Sequence, residues 1–85
     1  MKHATHSDVA KRLKRAEGHL RSVIAMIEDA RPCVDIAQQL HAVEAAVCKA
    51  KKELIHDHIE HCLDSAGDSD LRSDVAELRR LAKYL

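Results

Sequence analysis

Cys33, His58 and Cys62 are the residues of this chain whose types and spacing could do chemistry. His58 and Cys62 are four apart, so on a helix they share one face, about 40° apart around the axis. Cys33 precedes His58 by 25 residues, a rotation that returns it to within roughly 20° of the same azimuth. Along an unbroken helix the two lie about 37 Å apart. One helix therefore carries a thiolate at one end and an imidazole–thiolate pair at the other, and these cannot meet within one chain. Two copies packed antiparallel, with a two-fold axis near Val47 and Cys48, would build two Cys/His/Cys sites shared between protomers. Such a donor set suits a thiophilic or borderline transition metal. The plainer alternative makes Cys33 and Cys62 core cysteines and His58 a surface histidine.

The chain has seven histidines. His3 and His6 lie in an N-terminal arm and offer a fourth ligand if the arm folds over the site. His61 is a candidate to orient a ligand, as the neighbours of metal-bound side chains do. His19 and His41 suit surface or interface positions, and Cys48 suits the bundle interior. A second feature is charge. Lys11, Arg12, Lys14, Arg15 and Arg21 fall in an eleven-residue window that holds one acid, Glu17. Lys49, Lys51 and Lys52 cluster further along. Such runs are often only solvated helix faces. A strip this dense also fits phosphate, and without aromatic side chains for base stacking it favours duplex over single-stranded nucleic acid.

The elements that must position these residues are helical. The 85 residues include one Tyr, no Trp and no Phe, so the core is Leu, Ile, Val and Ala. A core this small calls for a partner chain or a metal. The formal net charge is zero, yet residues 1–31 carry seven Lys/Arg against four Asp/Glu, and residues 32–85 carry seven against ten. The basic footprint is thus local to the first helix. No secretory segment or membrane-length apolar run is present, so a cytoplasmic protein is expected, and in a reducing compartment three cysteines spaced 15 and 14 apart read as ligands, reactive thiols or core residues, not disulfides. There is no nucleophile–base pair, P-loop or His-Glu-x-x-His motif, so the chain is read as a binding protein and not an enzyme.

The expected architecture is all-α: a three-helix protomer in one domain over residues 1–85, with residues 1–6 as a flexible arm. The first helix runs from about Ser7, as N-cap, to Ala30. Its seam is Val9, Leu13, Ala16, Leu20, Val23, Ile27 and Ala30, a four–three alternation. Gly18 inside this pattern costs about 1 kcal/mol against Ala, and a close helix crossing would explain it. Pro32 opens the second helix at its first position. That helix runs to about Leu63, with Ile36, Leu40, Val43, Val47, Ala50 and Leu54 as seam and Ile55, Ile59 and Leu63 beside it. A loop over residues 64–69 leads to a third helix, from about Asp70 to Tyr84. Antiparallel dimers, pairing into tetramers, complete the core.

The stretches Lys11-Arg-Leu-Lys-Arg-Ala-Glu-Gly18, Cys33-Val-Asp-Ile-Ala-Gln-Gln-Leu40 and His58-x-x-x-Cys62 resemble the CsoR/RcnR family of metal-sensing repressors over nearly the whole chain. The resemblance implies a dimer of dimers and a metal site at Cys33, His58 and Cys62 shared between protomers. It also implies a metal-free form that binds double-stranded operator DNA and a metal-bound form that releases it. Arg12, Arg15 and Lys52 match basic positions that the family uses for DNA, which leaves Lys11 and Lys14 resting on charge alone. Cys62 stands where formaldehyde sensors carry Glu, and His58 is missing from persulfide sensors. The N-terminal histidines and the segment from Asp35 to Val43 look most similar to the DmeR-like nickel/cobalt branch. Ni(II) or Co(II) is therefore expected, with His3 or His6 as added ligand. Alignment to Cys33 places the branch's N-terminal ligand near Met1, which keeps Cu(I) open. A metal-buffering or delivery protein with the same ligands and no DNA binding is the rival from another class.

Overall fold

The computed structural model describes residues 6–64 and 71–85. Three helices account for them: α1 (His6–Glu28), α2 (Cys33–Asp64) and α3 (Leu71–Ala82). The described residues contain no strand, as the four–three seams require. α1 packs along α2, and α3 touches α2 but not α1. The long dimension of the protein, 56 Å, is set by α2, whose 32 residues rise about 48 Å.

The seams divide in a way that periodicity alone does not reveal. On α1, Val9, Ala16 and Val23 are buried, whereas Leu13, Leu20 and Ile27 between them are 41–55% exposed. On α2, Val43 and Ala50 are buried, whereas Leu40, Val47 and Leu54 are 41–45% exposed. One heptad row on each helix closes the α1–α2 contact and the other faces outward. Val and Ala close the contact, and Leu13, Leu20, Ile27, Leu40, Val47 and Leu54 stay open. A single chain thus leaves many of its apolar side chains uncovered. Ile55 is buried and Ile59 half-buried, as a flanking stripe should be.

α1 ends earlier than Ala30, and by a definite device. Ala30 has φ 54°, the left-handed conformation. Its N–H donates to the Ile27 carbonyl at 3.1 Å, and the Arg31 N–H donates to the Met26 carbonyl at 3.0 Å. This pair of bonds is a Schellman closure, which satisfies carbonyls that the helix leaves open. The position normally takes Gly, because a Cβ is strained there. Ala30→Gly is therefore expected to stabilise the fold by roughly 0.5–1 kcal/mol, read as a higher urea midpoint with an unchanged slope. An unchanged or lower midpoint would show that the strain is relieved elsewhere.

Three other local expectations are corrected. Among the described residues α1 already includes His6, so Ser7 lies inside the helix instead of capping it. Pro32 stands one residue before α2, its carbonyl accepting the Ile36 N–H at 3.1 Å, so Cys33 becomes the first helical residue. Beyond its own helix backbone, no atom of the described residues lies within 4 Å of where a Gly18 Cβ would be, so no close crossing among them explains that glycine.

Candidate metal centre and nucleic-acid interface

α2 runs unbroken from Cys33 to Asp64. Cys33 at its start and His58 in its last two turns are therefore about 37 Å apart along one rod. Cys33 is exposed. His58 is half-buried, and its Nε2 lies 3.2 Å from Oε1 of Glu77 on α3. The donor set of two thiols and one imidazole fits a borderline or soft ion. Among the described residues no three His, Cys, Asp or Glu side chains converge on a metal position. The side chain of Cys62 and the whole of His3 lie outside the described residues. His6 is exposed at the start of α1, His61 is half-buried near the end of α2, and Cys48 is half-buried. Glu77 was not among the residues singled out by sequence. A lone acid on a third helix carries no spacing signal toward His58.

The basic residues gather along the α1–α2 contact. Lys11, Arg12 and Arg15 line a groove of about 450 Å³ that Glu53, Asp57 and Glu60 close from α2. Arg12 and Arg15 also line an adjoining groove of about 230 Å³ with His19 and Lys49. Arg12 is half-buried, and its Nε makes a 3.1 Å ion pair with Glu53 Oε2. Lys14 and Lys52 are exposed and line neither groove. His19 Nε2 lies 2.6 Å from Gln39 Oε1, which fixes the ring between α1 and α2. Arg21 turns instead to Glu17 of its own helix, at 3.8 Å. The sequence reading left His19 as a surface or interface histidine; only the α1–α2 register brings it to Arg12, Arg15 and Lys49.

The chain that carries these features, a long helix with the candidate ligands and a groove lined by Arg12, Arg15 and Lys49 beside it, is similar to known proteins. Residues 5–84 match the family model described as metal-sensitive transcriptional repressor. The chain belongs to that family. Its members are transcriptional repressors and not enzymes, and the CsoR and RcnR proteins are part of it. The copper-sensing transcriptional repressor CsoR of Bacillus subtilis is 39% identical over 71 residues, which are 82% of this chain and 70% of that protein. CsoR of Mycobacterium ulcerans is 42% identical over 55 residues, 65% of this chain and 47% of that protein. The chain thus spans about half the length of the second relative. The solved structure of the nickel-responsive transcriptional regulator InrS superposes with a TM-score of 0.84 at 28% identity, covering 100% of this chain and 98% of that one. The family supports a metal-sensing repressor; its named relatives sense copper in two cases and nickel in the third.

Proposed function

We propose that this protein is a metal-responsive transcriptional repressor whose metal-free form binds operator DNA and whose Ni(II)- or Co(II)-bound form releases it, derepressing a metal efflux system. One observation carries the reading. α2 is a continuous rod with Cys33 at one end and His58 at the other, and the apolar row beside it is open. A second copy packed antiparallel covers that row and brings Cys33 of one protomer to His58 and Cys62 of the other. Lys11, Arg12, Lys14, Arg15 and Lys52 meet the DNA backbone. No helix among the described residues is long and apolar enough to cross a membrane, and a DNA-binding role places the protein in the cytoplasm, as a homodimer or homotetramer.

The switch runs through α3. The Glu77 carboxylate lies against the His58 ring from a different helix, so fixing His58 between protomers shifts the load on α3 as well as on α2. The pair is partly exposed, and partly exposed pairs contribute little by themselves. Glu77→Ala is therefore expected to lower metal affinity by less than about tenfold. It should remove most of the metal's effect on DNA affinity, a coupling typically worth about 1–3 kcal/mol. DNA titrations with and without metal check this, and full coupling in Glu77→Ala would eliminate the α3 route.

Nickel or cobalt is favoured by the N-terminal histidines, which would make an N2S2 set with the two thiolates, and by the whole-chain likeness to a nickel-responsive regulator. Cu(I) is the second reading, favoured by the copper-sensing relatives and by the sufficiency of Cys33, His58 and Cys62 for three-coordinate binding. Electronic spectra of the Ni(II) and Co(II) forms separate them. Under the nickel/cobalt reading, His3→Ala or His6→Ala changes the ligand-field bands. Spectra untouched by both substitutions would remove the N-terminus from the site and assign the protein to Cu(I). The buffering alternative predicts tight metal binding with no preference for the protein's own promoter over random duplex.

A further inference from the structure

Resting on the repressor reading, we propose that Glu53 is an internal competitor of DNA, holding Arg12 in the free protein by the edge of the guanidinium that a phosphate would take. Arg12 stands at the boundary of the two grooves. On one side the cations face the carboxylates of Glu53, Asp57 and Glu60. On the other, Arg12 and Arg15 meet His19 and Lys49, and no carboxylate of the described residues lines the groove. The second groove is the better phosphate seat, and it takes side chains from both helices. In the free protein Arg12 is drawn the other way, through Nε to Glu53 Oε2 at 3.1 Å.

That atom matters. Arginine binds oxyanions best through a fork of two parallel N–H donors, and the side-on fork needs Nε. With Nε held by Glu53, a phosphate reaches only the terminal nitrogens or must displace the carboxylate. Arg12 is anchored on α1 and Glu53 on α2, so the contact also ties the basic strip to the helix that carries His58. Glu53 thus lowers the affinity of the groove for phosphate in proportion to the strength of this half-exposed pair. Sequence reading offers no signal for it, because Glu53 lies among lysines that dominate the local charge.

The test uses the full-length protein and a short random-sequence duplex at low salt, where backbone phosphates supply essentially all the binding. Glu53→Gln is expected to tighten binding about two- to fivefold for each Arg12 that meets phosphate. The gain should vanish in an Arg12→Ala background, the criterion of a direct pairwise effect. The Arg12 Nε–H resonance should move on Glu53→Gln and move again when duplex is added to the wild type. Weaker binding by Glu53→Gln would overturn the proposal and make Glu53 a positioning residue for Arg12. An equal gain with and without Arg12 would reduce it to general charge removal, and an unchanged affinity would also overturn it. If no variant nor the wild type binds any duplex, including the protein's own promoter, the repressor reading falls and takes this inference with it. Failure with DNA binding intact falls on the inference alone.

Discussion

Cys33→Ala protein is expected to lose tight metal binding altogether, by well over the roughly 10–100-fold that loss of a ligand's supporting partner costs. His58→Ala should behave alike. The informative experiment is their mixture. Under the cross-protomer arrangement, a mixed dimer pairs the intact His58 and Cys62 of the Cys33→Ala chain with the intact Cys33 of the His58→Ala chain. One complete site returns per mixed dimer, and random exchange of subunits should restore about a quarter of the wild-type sites, since half the dimers are mixed and each holds one of two sites. An intrachain site would give no recovery. Stoichiometric titration of the separate and mixed variants decides between them, and no recovery after proven subunit exchange would discard the shared site. The unbroken α2 is the reason to expect recovery.

The second large effect concerns DNA. Arg15 lines both grooves of the basic face and makes no ion pair among the described residues, so it is the side chain most ready to meet a phosphate. Arg15→Ala is expected to weaken operator binding by about tenfold or more and to flatten the dependence of log affinity on log salt by about 0.9 for each phosphate that Arg15 neutralises. Metal affinity should not change, because Arg15 offers no donor atom to a metal held by Cys33, His58 and Cys62. Fluorescence anisotropy over a range of salt, with a parallel chelator competition, measures both. An Arg15→Ala protein with wild-type affinity and slope would move the interface off this face.

The amino-acid sequence showed the helices and their apolar faces clearly, and their partners poorly. Periodicity places Val9, Leu13, Ala16 and Leu20 on one stripe, but it cannot say that Val9 and Ala16 close the α1–α2 contact while Leu13 and Leu20 face out. That choice depends on how close two backbones approach, which small residues permit and leucines prevent. The end of α1 was misplaced because the closure uses Ala30 in a conformation that usually announces itself with Gly. Gly18, which does announce itself, has open space around it. The candidate trio of Cys33, His58 and Cys62 could be proposed from the sequence because its members sit on a single helix, where spacing translates directly into angle. Glu77 and Glu53 were not, because each acts across a helix pair, and local spacing says nothing about the register between two helices.

The continuity of α2 gives the chain a ruler as well as a scaffold. Each residue inserted between Cys33 and His58 would swing one end of the rod by about 100° and lengthen it by about 1.5 Å. A single insertion would thus turn the thiol away from the face it shares with the imidazole, while seven together would nearly restore the face and separate the ends by a further 10 Å or so. The turn at residues 29–32 carries no such constraint, since what it joins is held by side chains and not by angle. Length is therefore a functional quantity in this helix, and changes in length are tolerable before Cys33 in a way that they are not after it.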